Sequence, residues 1–392
     1  MPVNPLIVKA ANRLKAFLNE GFEALRTARI ASALSLATEG GSVPRPCYLS
    51  RAFPGPPAGN TQIAMGGEVK MAGLCGAFPH SFPACDLLYA VSSVGFPGRQ
   101  RVVDCGRARR VPVVLNQNGV YYPATGGRRW RSLNRPIDTL RRSADFIIYQ
   151  TEFCKIACDT FLGPVSTPFT IACNAVDTDF YVPADPPPSL ESPTVLALWG
   201  AGGRNRRTRV TVESFLEFRR RLPQARLILA GYHEASPQHR ESRKMMDELV
   251  AAAGQPLECV RYLPRYTGQE APGVFQQAHV LLHTQPNDNC PHLVVEALAC
   301  GVPVVHQDNG GTPQMVTPLA GVAVPSATSW EAIDYPAPEA FAAAMDEVFR
   351  DWHAFHRHAR ARAVEFMSLQ AFLREHRRVF ELVCPHLKGS SP

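Results

Sequence analysis

The sequence predicts an α/β protein of two doubly wound, Rossmann-like domains that face each other across a cleft, with a C-terminal helix crossing back. Three observations carry this expectation. Short apolar runs alternate with helical patterns along most of the 392 residues, the mark of parallel βαβ units with helices on both faces. The alternation forms two series, separated by Asp185-Pro-Pro-Pro188 and Pro193, a cluster that continues neither strand nor helix. The runs in both series end in polar residues or glycine, and open parallel sheets bind ligands at the carboxyl ends of their strands.

Taken in order, the first series reads as strands over 47–53, 86–92, 111–115, 145–149 and 169–172, forming a domain over 1–184. The second reads as strands over 194–199, 226–230, 257–263, 279–283, 303–306 and 321–324, within a domain over 185–392. The chain then enters a basic stretch from about Trp352 to Val383, with apolar residues at Phe366, Leu369, Phe372 and Phe380. This spacing predicts a helix that packs back across the domains. His353, His356 and His358 lie in that stretch among arginines without a well-spaced acidic partner, and read as surface residues rather than metal ligands.

Composition narrows the function. Hydrophobic residues make up 45% and charged residues 19% of the chain, the balance of a globular protein. The net charge of +7 comes mainly from arginine, which favours anionic ligands or surfaces. No helix-turn-helix, zinc-finger or RNA-recognition signature accompanies it, so nucleic acid is not an expected partner. The eleven cysteines are scattered and mostly within apolar runs. Cys154 and Cys158 share a helix face, yet no second Cys or His pair completes a zinc tetrahedron, and no metal site is expected. The first residues, with Lys9, Arg13, Lys15 and Glu20, lack the apolar core of a signal peptide. No apolar run is long enough to span a membrane. A cytoplasmic setting is expected, with peripheral contact between the basic N-terminal helix and an anionic membrane as an option.

The segment from Thr284 to Val305 carries the chemistry. It reads as a strand end, an acidic turn, a helix and another strand. Pro291 suits the first turn of that helix, and Gly301 suits its end, where a left-handed backbone is needed. The helix N-terminus then offers free N–H groups to a phosphate or to sugar oxygens. Asp288 and Glu296 flank this seat with seven residues between them, so the two carboxylates can grip different parts of one ligand.

Two acidic residues at this spacing, followed by Glu296-Ala-Leu-Ala-Cys-Gly-Val-Pro-Val-Val305 and Gly310-Gly311, resemble the retaining GT-B glycosyltransferases of family 4. The resemblance implies that Glu296 holds the ribose hydroxyls of a nucleotide-sugar donor while Asp288 touches the transferred sugar. The family usually has glutamate at the first position, and aspartate is one methylene shorter. The family also places an arginine and a lysine after the first strand of the donor domain to neutralise the leaving diphosphate. Here Gly200-Ala-Gly-Gly-Arg-Asn-Arg-Arg-Thr-Arg209 contains no lysine, and Arg204 and Arg206 are assigned that role, since arginine clamps phosphate well. By the same resemblance the donor site takes in Gly202, Gly203, Arg207, Gly231, Asn289, Cys290, His292, Leu293, Gly310 and Gly311.

Gly66 and Gly67 look like the glycine pair that family members place at the cleft, and Asn174-Ala-Val-Asp-Thr-Asp-Phe180 is similar to the segment that closes the family's first domain. Asn116 and Asn118 end a strand facing the cleft, and their amides suit recognition of an acceptor hydroxyl. The reading is of a retaining, metal-independent glycosyltransferase for which the nucleotide sugar is a substrate and no cofactor is needed. Competing readings are a non-catalytic nucleotide-sugar scaffold, and an epimerase or phosphorylase on the same fold. A dehydrogenase is disfavoured, because Gly-x-Gly-x-x-Gly follows no strand.

Overall fold

The structure, a computed structural model, describes residues 19–37, 43–57, 66–199 and 205–385. The N-terminal domain runs α1 (19–31), β1 (Ser35–Leu36), β2 (Pro46–Tyr48), α2 (Gly66–Ala77), β3 (Ala84–Cys85), β4 (Leu87–Val91), α3 (Arg99–Ala108), β5 (Val113–Gln117), α4 (Pro123–Gly126), α5 (Trp130–Arg142), β6 (Phe146–Tyr149), α6 (Glu152–Leu162) and β7 (Phe169–Ile171). The C-terminal domain follows with β8 (Thr194–Leu198), α7 (Asn205–Arg221), β9 (Arg226–Tyr232), α8 (Pro237–Ala252), β10 (Val260–Pro264), α9 (Ala271–Phe275) and β11 (Val280–His283). It continues through α10 (His292–Ala299), β12 (Val304–Gln307), α11 (Thr312–Met315), β13 (Gly321–Val324), α12 (Pro338–Arg350) and α13 (Trp352–Phe366) to the final helix, α14 (Leu369–Val383).

Two parallel sheets organise these elements. The first has five strands in the order β2-β4-β5-β6-β7, and the second six in the order β10-β9-β8-β11-β12-β13. In the second sheet the chain reverses direction between β8 and β11, which pair through Val195 with Val280 and Leu196 with Leu281. Ligands of doubly wound sheets bind at such a switch point, so the loops after β8 and β11 are placed to hold one.

The strands are apolar on both faces because helices cover both. Successive residues of a strand point to opposite sides. Accordingly Leu88 and Ala90 pack with Val102 and Leu140, while Tyr89 and Val91 pack with Met71 and Phe380. In the second sheet Val195 and Leu227 meet Phe215 and Phe341, whereas Leu196 and Ile228 meet Val294 and Leu298.

The last helix crosses back as expected. Phe372, Val379 and Phe380 of α14 are buried in the core of the N-terminal domain. The anticipated single terminal helix is two helices, because Ser368 caps the second, its Oγ accepting from Ala371 N at 3.3 Å. Backbone bonds from Val176 N to Met367 O (3.1 Å) and from Leu369 N to Val176 O (2.8 Å) tie this break to the interdomain segment.

One histidine departs from expectation. His353 and His358 are exposed, but His356 is half-buried, its ring 4.7 Å from that of Trp352. Gly301 takes φ 72° there, and a Cβ on it would come within 2.6 Å of the His356 ring. Glycine at this helix end therefore serves both the left-handed turn and the packing of α13. Among the described residues no helix is long and apolar enough to cross a membrane.

Candidate functional site

The carboxyl ends of both sheets meet, and the loop between β11 and α10 is the seam. Thr151 Oγ1 donates to Asn289 O at 3.0 Å, and Asn174 Nδ2 donates to Cys290 O at 2.6 Å. Asn174 N also donates to Cys290 Sγ at 3.2 Å. Cys290 is thus a buried domain contact, with burial pushing its thiol well above the ordinary range. Leu293 packs into the apolar layer beneath the second sheet.

Behind this loop, Asn287 takes φ 52°. It is held by Asn309 Oδ1, which accepts from its backbone N at 2.8 Å, and by its own Nδ2 donating to Ser329 O at 2.6 Å. Gly311 N donates to Asp288 O at 2.7 Å. Gly310, at φ 74°, lies so close to Asp288 that a Cβ would come within 2.7 Å of its backbone N and O. Gly310 and Gly311 therefore stand behind the acidic loop and set its shape. The Asp288 carboxylate points to His283 at the end of β11, with Oδ2 3.5 Å from Nε2.

Beside the seam lies a cavity of ≈ 630 Å³, lined among others by Gly66, Lys70, Tyr181, Tyr266, His292 and Glu296. Pro291 stands immediately before α10, so the helix opens toward this space. Glu296, one turn along, is half-buried, and its Oε1 accepts from Tyr181 Oη at 3.2 Å. Burial pushes the Glu296 carboxyl up to about 7, with the Tyr181 hydroxyl acting in the opposite direction. His292 is held down to about 3, chiefly by burial and then by the nearby Lys70 charge, and so is neutral. The Gly66 backbone acts on the ring in the opposite direction. Gly66 admits this ring from the other domain, since a Cβ there would stand 3.2 Å from His292 Cδ2.

The raised Glu296 pKa has a stability consequence. A carboxyl with a folded pKa above its unfolded value favours folding fully below about 4.5, and that advantage is lost as pH rises through about 7. Glu296→Gln is expected to gain about 1–3 kcal/mol on the wild type between pH 5 and pH 8. Thermal unfolding at the two pH values checks this, and a pH-independent difference would refute it.

The remaining expected site residues divide. Gly202, Gly203 and Arg204 lie outside the described residues. Arg206 turns away from the cavity, its Nη1 donating to Ile333 O at 3.1 Å and its guanidinium 5.3 Å over the Tyr335 ring. Arg207 Nη1 donates to Gln285 Oε1 at 3.0 Å, just after β11. Gly231, at φ 92°, ends the core of β9 against Leu198 and Trp199. Gly67 packs α2 on the turn after β4, where a Cβ would meet Val94 Cγ2 at 2.6 Å. Asn118 and Asn289 share the wall of a larger cavity of ≈ 990 Å³ on the N-terminal side, while Asn116 is fully buried below it.

Two site residues escaped the sequence reading. Tyr181 directly follows the Asn174–Phe180 segment, and only the fold carries it to Glu296. Lys70 lies one turn beyond the Gly66-Gly67 pair, and that offset was its sole signal.

Comparison with known proteins agrees with this geometry. Residues 188–364 match the family model described as Glycosyl transferases group 1. HepE of Anabaena, solved with UDP, superposes with a TM-score of 0.59 at 15% identity, over 76% of this chain and 79% of that one. Sucrose-phosphate synthase of Thermosynechococcus elongatus gives 0.59 at 15% identity, covering 78% and 75%. The pneumococcal O-GlcNAc transferase GtfA, solved with UDP and GlcNAc, gives 0.58 at 13% identity over 76% and 57%. No curated protein sequence matches the chain. With two facing Rossmann-like sheets in the GT-B arrangement and residues 188–364 matching the group 1 model, the chain carries a glycosyltransferase domain.

Proposed function

We propose that this enzyme moves a sugar from a nucleoside diphosphate sugar to an acceptor hydroxyl, with retention of anomeric configuration and without a bridging metal ion. The observation that carries the reading is Glu296, a carboxylate on α10 inside the ≈ 630 Å³ cavity beside the β8–β11 switch point. A carboxylate is acceptor-only and suits a pair of ribose hydroxyls. Asp288, on the loop before the helix, reaches the sugar once its carboxylate turns from His283. The bond from the anomeric carbon to the diphosphate breaks, the acceptor oxygen bonds that carbon, and the acceptor's proton passes to the departing diphosphate. The main demand is stabilisation of the leaving charge, met by the α10 N-terminus and by Arg204 and Arg206 once the latter turns inward.

The first test is thermal unfolding against UDP-, GDP-, ADP- and TDP-sugars, led by UDP-glucose because an Anabaena HepE structure holds it. A donor at about a hundred times its Kd should add about 2.7 kcal/mol. Any stabilising donor is then assayed for sugar release or transfer with and without EDTA, and the product anomer is read by NMR. Binding without turnover under every acceptor tried would favour a scaffold. An inverted product or loss of turnover in EDTA would overturn the corresponding half of the mechanism.

The same reading places the enzyme in the cytoplasm, at the membrane face. All eleven cysteines are free thiols, as befits a reducing compartment. On α1, Phe22 and Leu25 are 68% and 64% exposed beside Arg26 and Arg29, a face suited to anionic lipid. Sedimentation with phosphatidylserine vesicles at low salt, weakened in Phe22→Ser/Leu25→Ser, is expected. Equal sedimentation of both proteins would remove the membrane from the proposal.

A further inference from the structure

Among the described residues Lys70 is a buried cation without a counter-ion. It sits on α2 in the N-terminal domain, 5% exposed, in the wall of the cavity that also holds His292 and Glu296 of the other domain. Its Nζ donates to Asn116 Oδ1 at 3.1 Å and to Asn118 Oδ1 at 2.9 Å. The side-chain amide of Gln150, oriented so that its nitrogen donates to Asn118 O, offers a third oxygen at 2.5 Å. All three partners are neutral. Among the described residues no carboxylate forms an ion pair with Lys70.

Amide oxygens solvate an ammonium but do not cancel its charge, and a buried charge is normally paired. The histidine across the cavity is neutral and adds no competing cation. Burial already lowers Lys70 to about 8, the direction expected where desolvation is not offset by an anion. Three neutral dipoles and a single positive charge, in the wall of the cavity that also holds the first residue of α10, make a place for an anion that arrives with the ligand.

We propose that Lys70 binds the donor diphosphate from the N-terminal domain, exchanging the Gln150 oxygen for a phosphate oxygen and supplying charge in place of the lysine missing from the donor-domain loop. The inference rests on the nucleotide-sugar reading above. It makes the phosphate, rather than the nucleoside, the group that both domains hold.

The test is calorimetric binding of UDP and of uridine to the wild type, Lys70→Met and Asn116→Asp. Asn116→Asp leaves the lysine in place but gives it an internal counter-ion. Loss of one charge-assisted hydrogen bond corresponds to roughly tenfold or more in UDP affinity, and both variants are expected to show it with uridine binding unchanged. If Lys70 only staples the amides together, Asn116→Asp will bind UDP as the wild type does, which overturns the proposal even if Lys70→Met fails to fold. Equal loss of UDP and uridine binding also overturns it. A wild type that binds none of UDP, GDP, ADP and TDP removes the donor-site reading itself, and this proposal with it; where another nucleotide binds, it and its nucleoside replace UDP and uridine in the same comparison.

Discussion

Phe380→Ala is expected to destabilise the N-terminal domain by about 3–5 kcal/mol, the cost of emptying a fully packed aromatic site. Phe380 lies near the end of the chain, yet it is fully buried. Its ring centroid is 5.1 Å from Phe78 and 5.8 Å from Tyr89, both edge-on. His376, one turn earlier, is also buried and shares a 3.0 Å hydrogen bond with the Tyr89 hydroxyl. The substitution removes contacts from the first domain while sitting in the last helix. Differential scanning calorimetry should show a midpoint on the order of 10 °C lower. An unchanged midpoint would mean that α14 is an accessory rather than part of the core.

Glu296→Ala is expected to abolish most donor binding while leaving the fold intact. Hydrogen bonds from ligand hydroxyls to a carboxylate contribute about 1.5–3 kcal/mol each, so affinity should fall by about tenfold to a hundredfold or more. Among the described residues Glu296 accepts only the Tyr181 hydroxyl, which also reaches Gly268 O at 3.5 Å, so removing the carboxylate opens no void in an apolar layer. The check is titration of the best donor against both proteins. A mutant that binds as tightly as the wild type would move the ribose seat away from α10. Asp288→Ala, by contrast, should affect turnover more than binding, because its carboxylate lies on the loop and not on the helix.

Much of this architecture is legible in the residues. Eleven strand regions read from the sequence reappear within a few positions, because a strand covered on both faces must be apolar throughout and must end in polar residues. The pair β1 and β3 was invisible, since two residues each carry no pattern. The break at Met367–Ser368 was missed for a different reason. The apolar spacing continues across it, and only the cap at Ser368 and the bonds to Val176 reveal the interruption.

The site was legible where function depends on local spacing and illegible where it depends on distant chain segments. Asp288 and Glu296 are positioned by one loop and one helix, so their separation could be read directly. Lys70 gains its meaning from Asn116, Asn118 and Gln150, which lie on other strand ends, and Tyr181 from a glutamate 115 residues away. Gly310 and Gly311 were expected at the donor. Their closeness to the backbone of Asp288 and Asn289 shows that they act on the shape of the loop. His356 was expected on the surface because its neighbours are arginines, but the missing side chain of Gly301 leaves it a pocket.

The placement of α14 also orders events during synthesis. A ribosome releases the six-stranded sheet before it releases Leu369, so the second domain can close while the first still lacks Phe372, Val379 and Phe380. The nascent N-terminal sheet must wait with Tyr48, Met71 and Tyr89 uncovered until α14 emerges, after the whole six-stranded sheet. The first sheet is therefore completed after the second, and the interval between the two is where a chaperone would find this chain.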